Sequence, residues 1–215
     1  AQRFPNAEIT AVSNSESQIN YIQQEAKKRG FKHITARKQD INSLKFESQF
    51  DRIVAVEMFE HLSNYKALFK QLSQWVKDDG LLMVHVFGHK KYSYLFNTHS
   101  DTNFIARHFF TGGIMPAEKI FSYFQDQLML VNQWRVSGKH YHKTCEAWLD
   151  NHHKYKKNII AIFEQTYGEG KGRMYWSFWK VFFLACSELF RYRRGQEWMV
   201  FHSLFKKKDL AHQAM

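Results

Sequence analysis

Three side chains able to move a proton or hold a cation crowd together in FDRIVAVEMFEH, residues 50–61: Glu57, Glu60 and His61. Paired carboxylates can hold an ammonium group or a metal ion, and an imidazole exchanges protons near neutral pH. The residues just before them, Ile53, Val54, Ala55 and Val56, are apolar and mostly β-branched. Such a run reads as a buried parallel strand, and open α/β sheets bind their ligands beyond the carboxyl ends of their strands. The plainer alternative is a strand followed by a solvated helix start, with Glu60 set against the positive end of the helix dipole.

Elements of the right kind surround this stretch. Residues 8–12 (EITAV) read as a strand and residues 15–29 as a helix, with Ser15 as N-cap, Gly30 as the stop and Ile19, Ile22 and Ala26 at helical spacing. A strand over 34–37, a helix over 65–76, a turn at Asp78, Asp79 and Gly80 and a buried strand over 81–87 continue the alternation. A helix near 116–125 and a strand near 129–134 follow. Strand–helix alternation of this kind predicts an α/β fold, a Rossmann-like parallel sheet with helices on both faces. Beyond it, residues 144–167 and 175–190 read as two long helices, and 200–206 (VFHSLFK) alternates like a last strand. The expected organisation is one domain: a core over 1–137, a helical cap over 138–194, a strand over 195–208 and a tail over 209–215.

Composition bounds what the chain can do. It has 215 residues, 44% hydrophobic and 17% aromatic with 20 Phe, which suits one ordered core and clefts for flat or greasy ligands. A net charge of +11 favours anionic partners such as lipid headgroups or nucleic acid and says nothing of fold. The basic residues are dispersed and no nucleic-acid motif occurs, so a non-catalytic basic binding module ranks last. Cys145 and Cys186 share no short spacing, which argues against a disulfide framework or zinc knuckle and for a reducing, cytoplasmic setting. The most apolar stretch, residues 176–190, is shorter than a membrane span and carries Lys180 and Glu188.

Six segments in order carry a family resemblance: ITAVSNSESQ (9–18), FDRIVAVEMFEHLSNY (50–65), DDGLLMVHVFGHK (78–90), FFTGGIMP (109–116), GKHYHKTCEAW (138–148) and GQEWMVFHSLFKKK (195–208). The chain resembles the class I S-adenosylmethionine-dependent methyltransferases of the cyclopropane fatty acid synthase family. TGGIMP and EWMV favour the coclaurine-type N-methyltransferase branch. One departure is plain. The glycine-rich loop that follows the first strand in this fold does not occur, and the glycines of YGEGKGRM (167–174) lie between two helices, where they read as a hinge. The resemblance therefore implies a fragment that lacks the first strand of the sheet.

The resemblance implies roles for particular residues. Ser13, Asn14 and Gln18 lie on the ribose side of S-adenosylmethionine, where Ser13 or Ser15 can equally cap a helix. Gln39, Asp40 and Ile41 lie beside adenine, although loop aspartates commonly just make turns. Glu57, Glu60 and His61 form the catalytic motif of the amine branch: a Glu–His pair removes the proton of an ammonium acceptor while Glu57 holds the amine. In the cyclopropane-forming branch a bound bicarbonate takes the proton instead, in a pocket that carries over to Glu60, His85, Tyr141 and the Cys186 backbone. His85 and Tyr141 belong to both branches, so the choice stays open between a small amine and the unsaturated acyl chains of phospholipid. An acceptor in lipid would bring the basic surface against an anionic membrane.

Other features read more simply. His140, His142, His152 and His153 lack a carboxylate or thiolate at metal-binding spacing and read as surface histidines. Lys154, Lys156 and Lys157 read as a charged helix face, residues 206–215 as a frayed basic tail, and Phe109, Phe110 and Met115 as a substrate lid or as core. If the motif assignment holds, Glu60→Gln lowers turnover and leaves cofactor binding nearly unchanged, as read by paired kinetics and calorimetry. Equal loss of both would mark Glu60 as structural.

Overall fold

In the computed structural model, residues 1–96 and 104–208 are described. The chain divides into two compact units, Ala1–Ser48 and Gln49–Met215. In the first, β1 (Ile9–Ser13) and β2 (Ile34–Lys38) pair in parallel, joined by α1 (Glu16–Lys28). Ser15 caps α1 by accepting from the Gln18 amide at 3.4 Å, and Gly30 takes the left-handed φ of 70° that ends the helix.

The second unit is built on a four-stranded sheet in the order β3–β4–β8–β7, with β3 Phe50–Val56, β4 Val76–His89, β7 Leu128–Val136 and β8 Trp198–Lys207. A small hairpin-like pair joins β5 (Tyr94–Leu95) to β6 (Ile114–Met115). The helices are α2 (Tyr65–Trp75), α3 (Phe104–His108), α4 (Lys139–Lys154), α5 (Lys156–Tyr167) and α6 (Gly172–Gly195). β3 runs parallel to β4, while β8 lies between β4 and β7 and is antiparallel to both. The sheet is therefore mixed: β3, β4 and β7 share one direction and β8 alone runs against them.

Pairing register assigns the faces, because partners in adjacent strands project to the same side. Leu82, Val84 and Val86 pair with Phe205, Ser203 and Phe201. All six are buried, and α2 lays Leu68, Phe69 and Leu72 over that side. Phe69 meets the Phe59, Phe121 and Phe205 rings at centroid distances of 5.8, 5.8 and 5.0 Å, an edge-to-face cluster that forms the core. The opposite face carries Val54, Val56, Met83, His85, Phe87 and His202.

Several expected elements take another form. β3 is an edge strand with Val54 and Val56 exposed, where burial on both faces was expected. The Asp78–Asp79–Gly80 turn lies inside β4 as an irregularity, the partner advancing from Val76 to Leu81 while β3 moves from Phe50 to Arg52. Residues 116–125 form only a 3₁₀ turn, Ile120–Tyr123. The helix expected over 144–167 begins at Lys139 and breaks at Tyr155, whose ψ of 25° ends α4 and starts α5. Lys206 and Lys207 belong to β8, with Lys207 paired to Asp78 at 2.9 Å, so they are not tail; residues 209–215 lie outside the described residues. His152 is buried, stacked on Trp176 at 4.9 Å with its Nε2–H on the Trp176 carbonyl at 2.8 Å. Burial pushes its basicity down, so it is no surface histidine.

Phe69→Ala removes the ring that ties α2 to β8. It is expected to cost about 3–5 kcal/mol of stability, read as a lowered denaturant midpoint at unchanged m-value.

Candidate active site

At the end of β3 the chain enters a left-handed conformation at Glu57, with φ of 48°. For a residue with a side chain that conformation is strained by about 1 kcal/mol or more. What holds it is local: the Glu57 amide donates to the His85 carbonyl at 3.0 Å, extending the β3–β4 ladder by one bond. The 3₁₀ turn Phe59–His61 follows, fixed from above by the Tyr65 hydroxyl donating to the Phe59 carbonyl at 3.1 Å. Asn64 then caps α2 through the Ala67 amide at 3.1 Å. The turn swings Glu57 and Glu60 toward one another.

Two further elements complete the cluster. His85 comes from the middle of β4 and reaches Glu57 with Nε2 3.0 Å from Oε1. Tyr141 comes from the first turn of α4 and donates its hydroxyl to the same Oε1 at 2.8 Å, with His85 Nε2 3.4 Å from that hydroxyl. The start of α4 is placed by Gly138, where a Cβ would strike the carbonyls of Trp198 and Phe190. Only glycine lets the helix begin so close to β8 and α6. The Phe190 ring then rests 4.9 Å from that of Tyr141.

The two carboxyl groups differ sharply. Glu60 is 1% exposed, and its Oε2 has no hydrogen-bond partner among the described residues. Burial, and then the Glu57 charge beside it, push its carboxyl up to about 9, and a hydrogen bond to Glu57 favours the protonated form. At neutral pH these effects favour the protonated form of Glu60. Burial together with the Glu57 charge also pushes the Tyr141 hydroxyl up, which keeps it a donor. The expected Glu60–His61 base pair is accordingly loose: the His61 side chain is 57% exposed, its Nε2 lies 4.0 Å from Glu60 Oε1, and its ring stacks on Phe110 at 5.0 Å.

Other predicted residues fall as follows. Cys186 stands on α6 next to Cys145; both are free thiols, burial pushing Cys186 up to about 12 and Cys145 up to about 11. No hydrogen bond joins Cys186 to the Glu57 cluster among the described residues. In the Ala1–Ser48 unit, Ser13 Oγ donates to Gln18 Oε1 at 2.8 Å, and the Gln39 amide bonds the Ser13 carbonyl at 3.0 Å. The carboxyl ends of β1 and β2 thus bring Ser13, Gln18 and Gln39 to one rim, with Asn14 and Ile41 in the loops that leave it. Asp40 makes the turn that its type suggests, accepting from the Asn42 amide at 2.7 Å. Phe109 stacks on Phe182 at 4.4 Å and Met115 is buried, so both are packed against neighbours. One residue of the cluster was not foreseen: His202, whose Nε2 lies 2.9 Å from His85 Nδ1. Sequence separation hides it, because only the β4–β8 register brings positions 85 and 202 opposite one another.

An apolar groove of about 650 Å³ runs along α4, α5 and α6, lined by Trp148, His152, Tyr155, Ile159, Phe163 and Phe183 among others. No member of the Glu57 cluster lines it, so it is separate from the chemistry described above.

Residues 1–199 match the family described as mycolic acid cyclopropane synthetase. The chain belongs to that family. It is 36% identical to (S)-coclaurine N-methyltransferase of Thalictrum flavum subsp. glaucum and 37% identical to that of Papaver somniferum, in each case over 97% of this chain. It spans 59% and 60% of the length of those two relatives. The cyclopropane-fatty-acyl-phospholipid synthase of Escherichia coli K12 is 29% identical over 79% of the chain and 41% of its own length. Among solved structures, a coclaurine N-methyltransferase bound to N-methylheliamine and SAH superposes with a TM-score of 0.90 at 36% identity, over 96% of this chain and 60% of that one. A mycolic acid cyclopropane synthase in complex with SAH and CTAB shares the fold, with a TM-score of 0.72 at 19% identity over 93% of this chain and 69% of that one. The fold is that of the class I methyltransferases.

Because Glu60 binds its proton more tightly folded than unfolded, it contributes stability below pH 4.5 that is lost as pH rises toward 9. Glu60→Gln is expected to flatten that decline, which is at most about 1.4 kcal/mol per pH unit. Denaturant titrations of both proteins from pH 5 to 9 measure the difference.

Proposed function

We propose that the chain is the catalytic portion of a cytoplasmic S-adenosylmethionine-dependent N-methyltransferase that acts on a small amine, with α4–α6 as a helical cap on the acceptor side. One observation carries the choice of acceptor. The carboxylate of Glu57 sits on the two donors, His85 Nε2 at 3.0 Å and the Tyr141 hydroxyl at 2.8 Å, that a bound bicarbonate would need. A fixed anion held there attracts a cationic acceptor and leaves a second anion without donors. The coclaurine-type relatives at 36% and 37% identity support the same reading.

The residues fit the cofactor's polar parts. Ser13, Asn14 and Gln18 present hydroxyl and amide groups that can both donate to and accept from ribose hydroxyls. Gln39, Asp40 and Ile41 would meet the adenine side. When bound, S-adenosylmethionine supplies an electrophilic methyl carbon on a sulfonium centre.

The chain's own task is to prepare the nucleophile. An ammonium acceptor has no lone pair and must lose a proton first. Glu57 draws the cation in and accepts that proton, while His85 and Tyr141 steer its oxygen. Glu60 is already protonated and lends Glu57 a hydrogen bond without adding charge. His61 stands open to water beside Glu60. Free thiols at Cys145 and Cys186 suit a reducing compartment, and no helix among the described residues is long and apolar enough to cross a membrane.

Incubation of the full-length protein with methyl-labelled S-adenosylmethionine and coclaurine is expected to give labelled N-methyl product. Glu57→Gln is expected to lower kcat by about 10²–10⁴-fold with the KM for the cofactor almost unchanged. Bicarbonate-dependent ring formation on vesicles of unsaturated phospholipid, without amine methylation, would overturn the reading in favour of cyclopropane synthesis at an anionic membrane.

A further inference from the structure

We propose that His202 is a positioning residue: from the strand facing β4 it dictates which nitrogen of His85 carries the proton, and so keeps the Glu57 contact attractive. The proposal deepens the reading above and rests on it for the catalytic consequence, but not for the tautomer itself.

Hydrogen-bond accounting leads to it. Glu57 Oε1 already accepts from the Tyr141 hydroxyl at 2.8 Å, and His85 Nε2 lies 3.0 Å from the same oxygen. A carboxylate has only lone pairs to offer, so the contact is favourable only when Nε2 of His85 carries hydrogen. In neutral imidazole the other nitrogen, Nδ1, is then an acceptor. In this structure Nδ1 has His202 Nε2 at 2.9 Å. With His85 neutral, His202 must then carry its hydrogen on Nε2 and donate to His85. The chain of donors runs one way, from His202 to His85 to Glu57, joined there by Tyr141.

The setting favours that arrangement. Residues 85 and 202 are register partners in the antiparallel β4–β8 pair, and their rings lie 4.9 Å apart at a tilt of 36°. Burial, and then the proximity of His85, lower the proton affinity of His202, which holds it neutral. Titratable groups face the pair from two sides: Glu57 beyond β3 and Tyr141 on α4 touch His85, while Glu60 stands behind Glu57 and Cys145 behind Tyr141. None of these offers Nδ1 a hydrogen.

A mechanistic consequence follows. With Nδ1 engaged by a donor, His85 cannot take a second proton there without breaking that bond. A proton leaving the acceptor is then confined to Glu57, and His85 remains a neutral donor throughout. Loss of the His202 donor frees Nδ1, so that the Nδ1–H tautomer and the imidazolium both become accessible. In the first of these the bare Nε2 faces a carboxylate and the steering of Glu57 is lost.

Two substitutions separate position from bulk. His202→Gln keeps an N–H donor at similar reach, whereas His202→Leu removes it; His202→Asn, one methylene shorter, withdraws the donor while keeping polarity and serves if the leucine variant does not fold. The direct readout is the side-chain ¹⁵N spectrum of His85 in the full chain, assigned against His85→Gln. Wild type and His202→Gln are expected to show the Nε2–H form alone, and His202→Leu or His202→Asn a mixture with Nδ1–H. In amine methylation the donor-less variants are expected to lose about 10- to 100-fold in kcat, by analogy with the partners that orient metal-ligating histidines. Their KM for S-adenosylmethionine should stay within about twofold, and the acid limb of their pH–rate profile should move to higher pH. A wild-type His85 in the Nδ1–H form, or a tautomer unchanged in both donor-less variants, overturns the assignment even if activity falls. A shifted tautomer in a protein that methylates no amine supports the His202 assignment and sinks the proposed function instead.

Discussion

A carboxyl group buried beside a second carboxylate is driven toward its neutral form, and the site is organised around that fact. Burial pushes the Glu60 carboxyl up, while Glu57, three residues earlier, meets His85 and the Tyr141 hydroxyl. The division is imposed by backbone geometry more than by residue type. A left-handed residue at 57 and a 3₁₀ turn at 59–61 aim one carboxyl into the interior and the other at His85 and Tyr141. The same chemistry recurs wherever a site needs an acid and a base of one residue type at one pH.

The surrounding elements each supply a single restraint. β4 places His85 and accepts the Glu57 amide on its backbone. α4 places Tyr141, and the closeness of its start to β8 depends on Gly138. β8 places His202. On the far side of the sheet the phenylalanine cluster of Phe59, Phe69, Phe121 and Phe205 locks α2 to the strands, and Phe59 sits beside Glu60 in the turn. The core thus anchors the residue next to the neutral acid, so that packing and protonation state are linked through one turn.

Much of this was legible in the sequence. The alternation of β1, α1, β2 and β3 came from period-2 and period-3.6 patterns, and α1 began and ended at its Ser15 and Gly30 signals. The order of motifs pointed to the family that the comparisons establish. What stayed hidden has physical reasons. Nothing local distinguishes a glutamate that will be buried from one that will not, so the burial of Glu60 was not legible. The reversed direction of β8 and the partnership of positions 85 and 202 are facts of tertiary register. Alternation in residues 200–206 announces a strand without saying which way it runs or what it faces. His152 looked like one of four surface histidines because its burial depends on Trp176, twenty-four positions away. The break at Tyr155 carries no proline or glycine to announce it.

The reversed strand has a bearing on how the molecule is made. β8 follows β3, β4 and β7 in the chain, yet it occupies an interior position between β4 and β7. Until it is in place, β4 and β7 each present an unsatisfied edge to the surroundings. The pairing of residues 81–89 with 198–206 closes a loop of more than a hundred residues, a contact of high sequence separation that forms slowly. A nascent chain must therefore emerge past Lys207 before the sheet can shut, with its strand edges exposed in the interval.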